Sequence, residues 1–71
     1  GAHVHIAPGV TISGGVRIDD GTLIGAGATI KQEIKIGSNC IVAAGAVVIR
    51  DVPAGTTVMG VPARVVERKL N

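Results

Sequence analysis

The fold is decided by residues 23–48, LIGAGATIKQEIKIGSNCIVAAGAVV, in which an aliphatic residue recurs at every sixth position. The series runs unbroken from the amino-terminal side, through Ile6, Ile12, Ile18, Ile24, Ile30, Ile36, Val42 and Val48. A second small or apolar residue stands two positions before each of these, namely Val4, Val10, Val16, Thr22, Ala28, Ile34, Cys40 and Ala46. Since side chains alternate between the two sides of a strand, both sets are predicted to point inward.

The residue three positions after each aliphatic residue is predicted to form a corner. These residues are Gly9, Gly15, Gly21, Gly27, Glu33, Asn39, Gly45 and Asp51. Most are types that tolerate positive φ, and Glu33 is the exception. A period of six does not keep side chains on one face of a helix, and the regular glycines disfavour helix further. The sequence therefore predicts short strands that wind into a solenoid, with coils paired about 4.8 Å apart.

The composition bounds the kind of core and the source of stability. The chain has 71 residues, 46% of them hydrophobic, with no Phe, Trp or Tyr, so the core must consist of small aliphatic side chains. A chain this short buries too little surface to be comfortably stable alone. The single cysteine, Cys40, excludes an internal disulfide and is predicted to be a core residue. Self-association remains as the stabilising device.

Several function classes receive little support from the sequence. The net charge is only +2 and no aromatic side chain can stack on bases, which argues against nucleic-acid binding. No apolar run approaches the length of about 18 residues that crosses a bilayer, and the amino terminus lacks a secretory-signal layout. The pair His3 and His5 has no further ligand at suitable spacing, so no metal is expected. A cytoplasmic protein without membrane contact is predicted.

The segments HIAPGV (5–10), LIGAGATI (23–30), IGSNCIVAAGAVVIRDVPAG (36–55) and MGVPARVV (59–66) resemble the carboxy-terminal part of hexapeptide-repeat acetyltransferases. The stretch HVHIAPG before a Gly-Gly corner is typical of the sialic acid O-acetyltransferase and bacillosamine-pathway sugar N-acetyltransferase group. This resemblance implies an all-β fold, a left-handed parallel β-helix with 18 residues per coil and a triangular cross-section. Residues 1–53 would form the coils, and residues 54–71 a loop and the GVPAR terminal segment of the same domain.

The resemblance also implies a homotrimer that binds acetyl-CoA as co-substrate between neighbouring prisms. The acceptor would be an amine or hydroxyl of a sugar or nucleotide sugar. Matching residues place His5, Gly14, Ala26, Ala44, Pro62 and Arg64 at the cofactor. The family's catalytic histidine would precede residue 1, so the catalytic residues stay unknown and the fragment alone is expected to be incomplete. From the residues alone, Gly14, Ala26 and Ala44 could equally be tight-turn residues without a role in cofactor binding. His5 could likewise be a structural histidine.

The outward residues distinguish two of the predicted faces. With 18 residues per coil, one face presents outward His5, Leu23, Ile41, Ala7, Gly25 and Ala43. Another presents Arg17, Lys35 and Asp19, as expected of a solvated wall. The apolar face is therefore predicted to be the contact between copies. A trimerising module without catalytic activity is the alternative function, whereas ice binding lacks an unbroken rank of threonines.

Overall fold

The structure, a computed structural model, describes residues 2–68, with side chains as far as Val66. Residue 1 and residues 69–71 of the predicted domain lie outside this part. The described chain forms ten short strands: β1 (His5–Ile6), β2 (Thr11–Ile12), β3 (Arg17–Ile18), β4 (Leu23–Ile24), β5 (Thr29–Ile30), β6 (Lys35–Ile36), β7 (Ile41–Val42), β8 (Val47–Val48), β9 (Thr56–Met59) and β10 (Arg64–Arg68). Among the described residues, no helix has the length and apolar character needed to cross a membrane.

The strands form three sheets, which we name face A (β1-β4-β7-β9-β10), face B (β2-β5-β8) and face C (β3-β6). All neighbours pair in parallel except β10, which is antiparallel to β9. His5 pairs with Leu23 and Leu23 pairs with Ile41, so equivalent residues are 18 positions apart. The predicted all-β parallel solenoid with an 18-residue coil is confirmed.

The inward positions form the core in the second and third coils. Ile24, Ile30, Ile36, Val42 and Val48 are buried, and Cys40 is buried with them. The first coil is in the same register but less covered. Ile6 is 50% exposed and Ile12 is 39% exposed, because no described coil stacks on their outer side. Burial of a hexad residue therefore requires a covering segment on both sides, either a coil or the end of the chain, in addition to an inward direction.

The corners follow the prediction up to Val48 and then depart from it. Positive φ occurs at the seven predicted corners from Gly9 to Gly45, including Glu33 (φ 60°) and Asn39 (φ 56°). The prediction for Asp51 is wrong, because it does not adopt positive φ. The corner that contains Asp51 is two residues shorter than the equivalent corners of the earlier coils. Ile36 therefore bridges to Val52, which is 16 and not 18 positions later.

The carboxylate of Asp51 compensates for the shortened corner. One coil earlier, the Arg17 N–H donates to the carbonyl of Ile34 (2.9 Å). The equivalent N–H of Lys35 donates to Oδ1 of Asp51 (2.9 Å). The hydrogen-bond ladder of face C then resumes where Gly37 N–H donates to the carbonyl of Val52 (2.8 Å). A side chain thus supplies the acceptor that the shorter backbone cannot.

Residues 60–68, which we call the end cap, cover the last coil of the solenoid. On face B, Val47 N–H donates to the carbonyl of Gly60 (3.0 Å) and Ala63 N–H donates to that of Val47 (2.8 Å). On face A, β10 lies along β9 with Val65 opposite Val58. Residues 56–59 themselves still stack in parallel on β7, as a further strand of the solenoid.

Candidate functional site

The corners stack into three edges that run along the solenoid axis. The A–B edge carries Pro8, Ala26 and Ala44; the B–C edge carries Gly14, Gln32 and Arg50; the C–A edge carries Asp20, Ser38 and Ala54. Of the predicted cofactor residues, Ala26 and Ala44 are therefore neighbours, since Gly45 N–H donates to the carbonyl of Ala26 (2.9 Å). Gly14 lies on a different edge from these two alanines.

His5 lies on β1 at the amino-terminal end of face A. Its exposed side chain pairs across the sheet with that of Leu23, and the two border a shallow hollow together with Ala7. Face A continues outward with Leu23 and Ile41, which are 45% and 41% exposed. His5 precedes the A–B edge by three residues, so it is on the same side of the prism as the corner alanines.

Gly14 differs from the glycines that the fold requires. A Cβ on Gly25 would lie 2.5 Å from the backbone nitrogen of Ala44, and one on Gly37 would lie 2.6 Å from that of Ala54. Neither position can carry a side chain without moving the next coil. At Gly14 the φ angle is ordinary and a Cβ would meet nothing within 4 Å. The tight-turn explanation therefore fails at Gly14, whereas a bare surface suits a group that approaches from outside.

The predicted residues Pro62 and Arg64 meet in a pocket between the end cap and the B–C edge. The pocket is lined by Ile49, Arg50, Pro62, Ala63 and Arg64. Arg50 was not predicted as a site residue. The 18-residue period could have indicated it, because Arg50 follows Gly14 by two coils on the same edge. Gly14 thus lies on the same edge as Arg50 of this pocket, whereas His5, Ala26 and Ala44 lie on face A and the A–B edge. Arg64 begins β10, which also belongs to face A.

The charges at this pocket favour an anionic ligand. Within residues 2–66 the one ion pair joins Arg17 to Asp19 (3.6 Å), so Arg50 and Arg64 have no carboxylate partner there. A guanidinium can donate two parallel hydrogen bonds to a phosphate, and Arg is the residue most often used for that purpose. The apolar walls at Ile49 and Pro62 can contact a flat or hydrophobic group of the same ligand.

The described residues supply few groups for other chemistry. No cluster of three or more His, Cys, Asp or Glu that could hold a metal occurs in this part of the chain. The thiol of Cys40 is buried and donates to the carbonyl of Pro53 (3.0 Å), as expected for a core residue. His5 is the imidazole on the outer surface of face A, and it can donate a hydrogen bond to a carbonyl oxygen placed beside it.

The sequence matches the family model described as bacterial transferase hexapeptide (six repeats), over residues 1–32 and 15–50. The chain belongs to this hexapeptide-repeat transferase family, and its fold is the left-handed parallel β-helix. The resemblance deduced from the motifs is thereby confirmed. No curated protein sequence matches the chain.

Solved structures of acetyltransferases are similar to the chain over nearly its whole length. The acetyltransferase domain of PglB from Neisseria gonorrhoeae FA1090 is 44% identical with a TM-score of 0.87, over 89% of this chain and 31% of that one. It has also been solved with acetyl coenzyme A. Perosamine N-acetyltransferase from Caulobacter crescentus, solved as a mutant with CoA and GDP-perosamine, is 36% identical with a TM-score of 0.91, over 93% and 31%.

A maltose O-acetyltransferase from Clostridium difficile 630 is 31% identical with a TM-score of 0.90, over 96% of this chain and 46% of that one. The chain therefore spans less than half the length of each of these three proteins. What they have in common with it is the left-handed parallel β-helix.

Proposed function

We propose that the chain is the carboxy-terminal, cofactor-binding part of an acetyl-CoA-dependent acetyltransferase. The acceptor is an amine or hydroxyl of a sugar or nucleotide sugar, as for the perosamine and maltose enzymes that the chain resembles. The observation that carries the proposal is the pocket beside Pro62, in which neither Arg50 nor Arg64 is ion-paired with any carboxylate of residues 2–66. Two guanidinium groups beside apolar walls suit the phosphates and base of coenzyme A.

The B–C edge offers a path for the rest of the cofactor. Coils are about 4.8 Å apart, so Gly14 lies two coils, or about 10 Å, below Arg50 along the edge. With the phosphates at Arg50 and Arg64, the pantetheine arm extends down this edge past Gln32. The missing side chain at Gly14 lets an amide of the arm approach the backbone closely.

His5, Ala26 and Ala44 join this site through a second copy of the chain. They lie on face A and the A–B edge, so one prism cannot place them around the same ligand as Gly14 and Arg50, which lie on the B–C edge. A groove between two prisms is bounded by one edge of each copy, which brings the two sets together. A homotrimer, with three such grooves, accounts for the exposed aliphatic side chains of Leu23 and Ile41 on face A. We place this assembly in the cytoplasm.

The reaction is acetyl transfer from a thioester. The nitrogen or oxygen of the acceptor attacks the carbonyl carbon, a new C–N or C–O bond forms, and the C–S bond breaks to release the coenzyme A thiol. A base removes the acceptor's proton, and that proton can pass to the departing sulfur. Within this chain, His5 donates a hydrogen bond to the carbonyl oxygen as its negative charge develops. The base itself is not assigned to a residue of this chain.

Calorimetric titration of the chain with acetyl-CoA tests the proposal. Saturable binding is expected, and Ala44→Trp should weaken it at least tenfold by filling the groove. The matched control is Ala54→Trp, an exposed corner alanine on the C–A edge, which should bind as the unmodified chain does. Absence of binding by an intact oligomer would overturn the proposal in favour of a trimerising module without catalytic activity.

A further inference from the structure

Arg50 lies in the corner that is two residues shorter than its counterparts, and backbone hydrogen bonds hold this corner from both sides. On the side of face B, the Lys31 N–H donates to the carbonyl of Val48 (3.0 Å). On the side of face C, the Val52 N–H donates to the carbonyl of Lys35 (2.9 Å). The chain between these two bonds is short, so the backbone of Arg50 has little room to move.

The carboxylate of Asp51 adds a third bond, directly after Arg50 in the chain. Its Oδ1 accepts from the Lys35 N–H (2.9 Å). The directions open to a side chain depend on the φ and ψ angles of its own residue. By fixing the backbone next to Arg50, the Asp51 bond therefore limits where the Arg50 guanidinium can lie.

The same carboxylate is a neighbour of both guanidinium groups of the candidate cofactor pocket. Arg50, Ala63 and Arg64 line that pocket and also a second one. The second pocket is completed by Asp51 and by the valine side chains of Val48, Val52, Val58 and Val65. Within the described side chains, however, no ion pair joins Asp51 to Arg50 or to Arg64.

The bond to the peptide N–H explains why this carboxylate leaves the arginines available. Oδ1 of Asp51 is held against the strand of Lys35. A carboxylate that paired with a guanidinium would take the parallel N–H donors that a phosphate needs, because both anions bind to the same edge of the group. An aspartate bound to the backbone does not compete for them.

We infer that Asp51 is a positioning residue for the phosphates of the cofactor, and that it acts through its hydrogen bond to the Lys35 N–H. The bond places the Arg50 guanidinium beside that of Arg64 and keeps the carboxylate from pairing with either. The site uses Asp51 as a hydrogen-bond acceptor and not as a charge, since a negative charge repels phosphate. The role assigned to Asp51 rests on the proposed acetyl-CoA site.

Calorimetric titration with two ligands tests this role. One is acetyl-CoA, and the other is 3′-phospho-ADP, which carries the same phosphates without the pantetheine arm. Asp51→Ala removes the acceptor, so both ligands should bind about fivefold more weakly, and by the same factor. Asp51→Asn keeps an oxygen that can accept from the Lys35 N–H and removes the charge. It should bind both ligands at least as tightly as the unmodified chain.

Asp51→Glu keeps the charge on a longer side chain. That length no longer suits the bond to the Lys35 N–H, and the carboxylate can reach the guanidinium groups instead. Both ligands should therefore bind at least as weakly as they do to Asp51→Ala. Asp19→Ala is the matched control, because it removes an exposed carboxylate of face C that pairs only with Arg17. It should change either affinity by less than about twofold.

A double-mutant cycle separates an action through Arg50 from a general loss of structure. In an Arg50→Ala background, Asp51→Ala should weaken binding no further, because the group that it positions is gone. Circular dichroism verifies that each variant is folded at the temperature of the titration.

Several results would overturn the role of Asp51 and leave the acetyl-CoA site in place. They are unchanged binding by Asp51→Ala, equal losses for Asp51→Ala and Asp51→Asn, tight binding by Asp51→Glu, and additive effects of Arg50→Ala and Asp51→Ala. A loss confined to acetyl-CoA would do the same, because the phosphates would then not be involved. An unmodified chain that binds neither ligand would overturn the proposed site and the role of Asp51 together.

Discussion

Face A and face C have the same interior and opposite exteriors. Ile24 on face A and Ile36 on face C are both buried hexad residues. Outward, however, face A presents Leu23 and Ile41, whereas face C presents charged side chains such as Lys35. The hexad period therefore determines which side chains fill the core, and it leaves the outer position free. Information about partners lies in that outer position, where an aliphatic residue has no structural purpose within its own chain.

The largest expected effect comes from placing a charge on the apolar outer surface of face A. Leu23→Glu should dissociate the oligomer and unfold the released chain, because a carboxylate buried between copies loses its water without gaining a partner. Lys35→Glu, on face C, is the matched control and should leave the assembly intact. Light scattering and circular dichroism distinguish the outcomes. A Leu23→Glu chain that remains folded as a soluble monomer would contradict the assignment of face A as the contact.

The second prediction concerns a feature that the two faces have in common. Gly25 follows the strand of face A and Gly37 that of face C, and a Cβ on either would collide with the next coil's backbone. Gly25→Ala and Gly37→Ala should each lower the free energy of unfolding by about 1–3 kcal/mol.

Gly14→Ala is the control for this pair, because its Cβ would lie in open space. It should change the free energy of unfolding by less than about 1 kcal/mol, and at an ordinary φ it can even stabilise. Urea unfolding measures all three variants. Equal losses of stability at the three positions would show that the fold itself needs the glycine at 14. They would contradict the proposal that its missing side chain makes room for the cofactor.

The smallest effect is expected at the shortened corner, where Asp51 accepts a hydrogen bond from face C. Asp51→Ala removes the acceptor for the Lys35 N–H and should lower the free energy of unfolding by about 1 kcal/mol. Asp19→Ala, which loses only an exposed contact with Arg17, should cost less than about 0.5 kcal/mol. Chemical denaturation of both variants provides the comparison. Indistinguishable midpoints would mean that water replaces the Asp51 carboxylate at no cost.

The interior and the period of the fold could be predicted because they are repeated. Every hexad supplies the same evidence, so Ile30 or Val42 could be assigned inward by position alone. Features that occur once could not be found in this way. The shortened corner at Asp51 and the antiparallel direction of β10 both come where the repeat stops. The exposure of Ile6 depends on a neighbouring coil, which no residue in its own hexad reveals.

The candidate site was partly predictable for the same reason. Ala26 and Ala44 are one period apart, so their contact on one edge follows from the repeat. The separation of Gly14 from them also follows, since it belongs to a different hexad of the coil. Arg50 lies in the segment 36–55 that resembles the family, but no cofactor role was assigned to it there, although its period places it above Gly14. The pocket itself depends on how the end cap crosses the solenoid, which the hexads do not encode.

The carboxylate of Asp51 has a consequence for how such a repeat can change in length. Deleting two residues from one turn of a β-helix would ordinarily misalign every later turn. Here a single acidic side chain absorbs the deletion locally, and the following strand resumes its place above Ile36. Turns of unequal length can thus accumulate in one protein, provided that an aspartate of suitable reach stands at each shortened bend.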